Sequence, residues 1–289
     1  MKQPLIVVAA LCVLGVARPA PAQVLADGPV VYGHHHLYVS NVDATKKFLV
    51  EGLGGTAVRI GEPAREVIRF PNVLVFMNAT VPKGGSKGTT VDHIGFGVRN
   101  MREAVDRVKA AGFRMVTSTE TGPPRVVKDD IAFPPAGQTG NSIAFAMGPD
   151  DLKVELVETP QQAAPVALHH VHFFGQQNNE MQAWYAKTFG GEARQGANFP
   201  SVVLPAVSLN FSPSQTPVVG TKDRAIDHIG FEVRDLEAFL KKLAASGVKI
   251  TSEYRKVPAL NTAIAYITDP WGTYIELTEG LGRVTVATN

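Results

Sequence analysis

Apolar and polar positions along the chain fall into a unit that recurs four times. It begins with an apolar run of strand length, continues with helical spacing, and ends with about three further short apolar runs. In NMREAVDRVKAAGF, from Asn100, the residues Met101, Ala104, Val105 and Val108 recur at helical spacing, and Asn100 is placed to cap the first turn. DLEAFLKKLAASGV, from Asp235, repeats the pattern, with Gly247 as its stop. The runs that follow, such as NSIAFAM and TAIAYI, are bounded by Gly, Pro and Asp and read as strands.

The units are related in pairs. VDHIGFGVRN, from Val91, returns 135 residues later as IDHIGFEVRD, from Ile226. HHHLYVSNVDATKKFLVEGLGG, from His34, is answered by HHVHFFGQQNNEMQAWYAKTFGG, from His169, and the pairs Gly54-Gly55 and Gly190-Gly191 lie 136 apart. RFPNV at Arg69 answers to NFPSV at Asn198, and DLKVELVE from Asp151 to TYIELTE from Thr273. Two homologous halves follow, residues 30–160 (modules about 30–80 and 91–158) and 165–282 (modules about 168–213 and 226–279), joined by the linker TPQQAAPVA. The architecture expected is α+β, built from paired modules.

Composition narrows the function classes. The chain is 45% hydrophobic and 19% charged, as a globular protein is. Residues 1–22 read as a secretory signal: Lys2, an apolar run from Leu5 to Val16, then small residues ending at Ala20-Pro21-Ala22. The run is too short for a membrane span, which needs about 20 residues, so no stable anchor is expected after cleavage near Ala22. The mature protein is expected in the periplasm or outside the cell. Losing Lys2 and Arg18 leaves 26 basic against 26 acidic residues, a balance that asks for neither nucleic acid nor an anionic surface. The one cysteine, Cys12, falls in the signal, which leaves the mature chain no disulfide, thiol nucleophile or thiolate ligand.

All eight histidines, His34, His35, His36, His93, His169, His170, His172 and His228, fall in the opening strand of a module. Alternation puts His34 and His36 on one face and His35 on the other, and likewise sets His170 and His172 against His169. Glu155 in KVELVE and Glu276 in YIELTE occupy equivalent places in a last strand, between apolar neighbours, where a carboxylate is costly unless paired or metal-bound. Each half thus offers two histidines and a glutamate: His34, His93 and Glu155, then His170, His228 and Glu276. Such a set holds Fe(II), Mn(II) or Zn(II) and leaves positions open. A lone histidine in such a strand is more often a core residue bonded to backbone; four at equivalent places favour one or two divalent ions. His36 and His172 are open between ligand, base and support, and His35 and His169 read as structural or surface. Trp184, Tyr185 and Phe189 read as a helix face packed on the sheet, and Trp271 as part of a pocket mouth.

HHHLYVSNV, DHIGFGVRN, HHVHFF, DHIGFEVRD and DPWGTYIEL together resemble the vicinal oxygen chelate superfamily of glyoxalase I, extradiol dioxygenases and the bleomycin and fosfomycin resistance proteins. The resemblance covers about residues 34–280 and implies four βαβββ modules paired into two glyoxalase-like domains, each a cup around a metal. By position it carries His34, His93 and Glu155 into one cup and His170, His228 and Glu276 into the other. VLVFM from Val73 and VSLNF from Val207 lack the carboxylate that glyoxalase-type sites take from this strand, which favours three ligands. YITDPWGTYIE matches the tyrosine-led segment of the dioxygenases, but their upstream histidine is missing from RKVPALNTAIA. Tyr266 and His172 are the catalytic candidates. Phe145 in place of Tyr266 favours the second cup as the working one.

The function implied is a divalent-metal-dependent enzyme of lyase or dioxygenase type acting on a small oxygenated molecule. The alternatives are a binding or sequestering protein and a structural domain whose ligand set survives unused. Export counts against both glutathione-dependent chemistry and an oxygen-sensitive Fe(II) centre. The resemblance leaves room for a homodimer.

Overall fold

The computed structural model describes residues 28–196, 199–284 and 286–288; the expected signal, Cys12 and Asn198 lie outside them. Four modules follow one another along the chain. The first holds β1 (Val30–Tyr38), α1 (Val42–Lys47), continued by a π-helical turn over Phe48–Gly52, then β2 (Thr56–Ile60), β3 (Arg65–Phe70) and β4 (Val73–Asn78). The second holds β5 (Val91–Val98), α2 (Met101–Ala110), β6 (Arg114–Met115), α3 (Thr117–Glu120), β7 (Val126–Lys128), β8 (Ile131–Phe133), β9 (Ile143–Met147) and β10 (Lys153–Glu158). The third holds β11 (Val166–Gly175), α4 (Asn178–Phe189), β12 (Glu192–Gln195), β13 (Pro200–Leu204) and β14 (Val207–Pro213). The fourth holds β15 (Ile226–Val233), α5 (Leu236–Ala245), β16 (Ile250–Val257), β17 (Thr262–Thr268) and β18 (Tyr274–Glu279), after which the chain ends in β19 (Val286–Thr288).

Local chemistry sets the helix starts. The side chains of Asn41, Asn100 and Asp235 accept the backbone N–H groups of Ala44, Glu103 and Ala238. The buried stripe of α2 is Met101, Ala104, Val105 and Val108, as its spacing predicts.

The modules pair differently from the sequence halves. One sheet runs β16-β17-β18-β15-β1-β4-β3-β2-β19, joining module one to module four; the other runs β12-β13-β14-β11-β5-β10-β9-β8-β7, joining two to three. Residues 30–160 and 165–282 therefore do not each close a cup. The linker gives the physical reason. Thr159 N donates to Val98 O, Gln162 Nε2 to Gly97 O, and Arg99 N to Pro165 O. The linker is thereby pinned along the end of β5 and delivers β11 to the free edge of that strand, where the two pair antiparallel.

One face of both sheets packs with the helices into a single core that includes Val75, Phe96, Tyr185 and Phe231. Tyr185 and Phe189 lie in it, and the Phe189 ring stacks on Phe231 at 4.1 Å. Trp271 packs at the edge of this core, its Nε1 donating to Gln177 Oε1 at 3.0 Å, so it belongs to the helix side and not to a cup mouth. The opposite face of module one carries a second cluster: Val58, Ile60, Val67, Leu74 and Phe76, covered by Leu281, Val284 and Val286 from the end of the chain.

Candidate metal centres

Two groups of four donors form, each on the cup face of one sheet. His34, His36, His228 and Glu276 meet in the 1–4 cup, and His93, Glu155, His170 and His172 in the 2–3 cup; within each group the ligand atoms lie within 4.8 Å of one another. The expected sets His34–His93–Glu155 and His170–His228–Glu276 do not assemble. Because the modules pair 1–4 and 2–3, His34 and His170 exchange places. The candidates Tyr266 and His172 are separated as well, Tyr266 beside Glu276 on β17 and His172 in the other cup.

The register explains the fourth donor. β1 and β15 run antiparallel with His36 opposite His228 and His34 opposite Gly230; β5 and β11 match, with His172 opposite His93 and His170 opposite Gly95. A Cβ on Gly230 would lie 2.0 Å from His34 Cε1, and one on Gly95 2.1 Å from His170 Cε1, so these glycines make the space the two imidazoles occupy. Glu276 lies beside Gly230 and Glu155 beside Gly95. The corresponding neighbours of His36 and His172 on β4 and β14 are Phe76 and Asn210. The last strands of modules one and three thus lack a carboxylate, as the sequence indicates. The nitrogen from His36 or His172 makes up the number, giving three imidazoles and one carboxylate.

The donors converge. In the 1–4 cup Glu276 Oε2 lies 3.2 Å from His34 Nε2, 3.5 Å from His36 Nε2 and 2.9 Å from His228 Nε2. In the 2–3 cup Glu155 Oε2 lies 3.0 Å from His93 Nε2 and 3.1 Å from His170 Nε2. Among the described residues, His172 Nδ1 is buried without a hydrogen-bond partner and His170 Nε2 has only its ion-pair contact with Glu155, a state that is costly unless a ligand completes it. His172 Nε2 pairs with Ser212 Oγ at 2.8 Å, which leaves Nδ1 as its free donor. The set fits a borderline divalent cation such as Zn(II), Mn(II) or Fe(II).

Outer partners orient two of the rings. His93 Nδ1 holds Asp92 Oδ1 at 2.7 Å and His228 Nδ1 holds Asp227 Oδ1 at 2.5 Å, the arrangement that fixes a ligand imidazole and raises its basicity. Asp92 is in turn paired with Lys153, whose Nζ also reaches Glu120 Oε2 at 3.0 Å. Burial pushes His93 and His228 down, but their bonds to an aspartate and a glutamate outweigh it and both sit above the usual histidine value. Burial would raise Glu155 and Glu276; the imidazoles around them prevail and hold both well below the carboxylate range. His36 and His172 are kept neutral by burial and by neighbouring histidines. Burial and Glu276 keep Tyr266 protonated.

The two strand-alternation outliers differ. His35 does face away from the cup: fully buried, it takes the Tyr32 hydroxyl at 2.6 Å, and burial lowers it to about 3. His169 does not face away. A register shift between Leu168 and His170 turns it toward the cup, where its Nδ1 lies 2.9 Å from His170 Nδ1. The paired aspartates and the DHIGF glycines were present in the sequence signal, in the repeated Asp-His and in the Gly two residues beyond each histidine. A cavity of about 690 Å³ opens onto the 2–3 centre.

Four modules of this kind, paired so that first strands abut and a last-strand glutamate joins them, define a glyoxalase-like protein with two cups whose donor groups could hold a metal ion. The glyoxalase/bleomycin resistance protein/dioxygenase superfamily model matches residues 31–125 and 124–277, and the chain belongs to that superfamily. It is 26% identical over 265 residues to a "probable lactoylglutathione lyase, chloroplastic" of Arabidopsis thaliana, covering 82% of this chain and 70% of the relative. The fold is that of glyoxalase I from Zea mays, with a TM-score of 0.65 at 20% identity over 88% of this chain and 94% of that one.

Proposed function

We propose that this protein is a divalent-metal-dependent enzyme of lyase or dioxygenase type that acts on a small oxygenated molecule after export from the cytoplasm. The observation that carries the reading is the convergence of three imidazole Nε2 atoms on one buried carboxylate oxygen in the 1–4 cup. His34, His36, His228 and Glu276 would hold one ion, and His93, Glu155, His170 and His172 the other. A bound divalent ion supplies Lewis acidity toward substrate oxygens. The chain's own groups do the rest. Glu155 and Glu276 stay ionised, and Asp92 and Asp227 hold their imidazoles in the tautomer that presents Nε2. Tyr266, kept protonated, is a hydrogen-bond donor at the 1–4 centre. His169, which burial lowers to about 4, faces the 2–3 cavity as a neutral imidazole able to accept a proton.

Metal analysis of the purified mature protein tests the reading, with one to two divalent ions per chain expected. Protein that cannot be loaded with Zn(II), Mn(II) or Fe(II) would refute it. Incubation of loaded protein with catechols and with thiol adducts of methylglyoxal then separates the classes. Product formation means an enzyme; ligand-induced stabilisation without product means a sequestering protein.

A further inference from the structure

The two cups are built alike at the metal and differently beyond it. Next to the 1–4 donors, β4 presents Leu74 and Phe76, and the Phe76 ring stacks on His36 at 4.4 Å. At the matching places in the 2–3 cup, β14 presents Ser208 and Asn210. Asn210 Oδ1 accepts the Ser208 hydroxyl at 2.7 Å; among the described residues its amide nitrogen donates to nothing, and Asn210 lines the cavity. One floor is apolar, the other polar.

The apolar floor has a cover. After β18 the chain turns at Gly280 and lays Leu281, Val284 and Val286 over Leu74, Phe76 and Val67, and β19 then pairs with β2. Leu281 is 2% exposed and Phe76 3%. This strap is anchored at a position where the two DHIGF strands differ. Glu232 Oε1 accepts the N–H of Gly280 at 2.7 Å and of Gly282 at 3.4 Å, and its Oε2 takes the Thr278 hydroxyl at 2.5 Å. The counterpart is Gly97, where a Cβ would lie 2.5 Å from Gln162 Oε1 of the linker. At the same point of the fold one chain exit therefore leads on to β11, and the other returns across a cup.

We propose that the 2–3 cavity is the substrate site, and that the C-terminal strap is the built-in occupant of the corresponding space in the 1–4 cup. The 1–4 centre then has room for an ion but not for an organic ligand. The ligand class follows from the open cavity. Phe145, Phe174 and Phe199 line it with aromatic surface and Asn210 offers a donor, which suits a flat, oxygen-bearing organic molecule. This assignment rests on the metal reading given above.

The test uses the full chain with one centre removed at a time. His228→Ala leaves the 2–3 centre and His93→Ala the 1–4 centre; each is loaded with Co(II) and titrated with tropolone, a flat ring with two adjacent oxygens, following the visible cobalt bands. Tropolone should bind the His228→Ala protein at least tenfold more tightly than the His93→Ala protein. Releasing the strap in the latter, by Glu232→Gln or by Val284→Ser with Val286→Ser, should bring the two within a few-fold. Equal binding in the unreleased pair, or a 1–4 centre that stays closed after release, overturns the proposal. Deuterium exchange on metal-free protein reads the strap alone. Glu232→Gln should speed exchange in the 73–78 peptide and leave the 207–213 peptide unchanged, and an unchanged 73–78 peptide counts against the strap. If neither single-centre protein takes up cobalt, the metal reading and the substrate assignment fall together, while the exchange result still decides the strap.

Discussion

Replacing Gly95 by alanine isolates one steric contact. Neither Gly95 nor Gly230 has a positive φ, so alanine brings no backbone strain at either place. The added methyl at Gly95 would lie 2.1 Å from His170 Cε1. Carbon contacts settle near 3.5 Å, so the ring must retreat by roughly 1.4 Å. His170 is only 2% exposed and has little room to do so. Ligand distances tolerate about 0.2 Å, so the shift takes the nitrogen out of reach of an ion held by the other three donors. Even the loss of an outer-sphere partner costs about 10–100-fold in metal affinity, and displacing a ring should cost no less. Overpacking adds about 1–3 kcal/mol of destabilisation to the metal-free protein. Calorimetric Zn(II) titration of Gly95→Ala in the His228→Ala background measures the first effect, and thermal unfolding without metal the second. Gly97→Ala is the control on the same strand. Its methyl meets two side chains of the linker, Gln162 Oε1 at 2.5 Å and Thr159 Oγ1 at 2.7 Å, and no donor, so it should leave metal binding alone. Unchanged Zn(II) affinity in Gly95→Ala would show that His170 is not a ligand.

Three further outcomes are expected. Chelation should lower the thermal midpoint, because an ion at 100 times its Kd contributes about 2.7 kcal/mol per site; a midpoint indifferent to EDTA would mean empty cups. The metal-free 2–3 cup should depend on pH from both sides. His93 sits above its unfolded value of 6.5, so its contribution is full below that and fades as pH rises through the raised folded value; Glu155 sits below 4.5, so its contribution is lost as pH falls through the lowered folded value. Metal must displace the proton from His93, so affinity should climb with pH in that window. Asp92→Asn should move the climb to lower pH while weakening binding about 10–100-fold, and an unmoved titration would remove Asp92 from the account. Phe189→Ala, which takes a 2% exposed ring off Phe231, should cost about 3–5 kcal/mol in urea unfolding, and a loss under 1 kcal/mol would contradict the shared core.

Much of this was legible before any coordinates. The fourfold strand–helix–strand unit, the caps at Asn100 and Asp235, and the histidine-bearing first strands follow from local patterning, and the structure bears them out. The choice of pairing partner was not legible. β5 and β15 carry nearly the same sequence, so hydrophobicity cannot say which of them β1 seeks; the linker's hydrogen bonds to Gly97, Val98 and Arg99 decide it. The same gap misplaced His34 and His170. His169 was misread because strict alternation assumes a regular ladder, and the shift beside Leu168 breaks it. Gly95 and Gly230 carry their own signal, since a glycine two residues beyond a candidate ligand in a buried strand marks a close approach.

The pairing is nested, one closure inside the other, and this sets an order of events. β5 and β11 begin 75 residues apart, β1 and β15 196. The extra loop entropy is slight, about 0.8 kcal/mol by the logarithmic rule, but synthesis runs in one direction. All strands of the inner sheet have emerged once Pro213 is made, whereas module one waits with the edge of β1 open until β15 follows. An open edge is a site for pairing with other chains. A chain stopped between Pro213 and Ile226 can therefore complete one centre and leaves the other as an exposed, histidine-lined strand. The centre built from the two ends of the chain closes last.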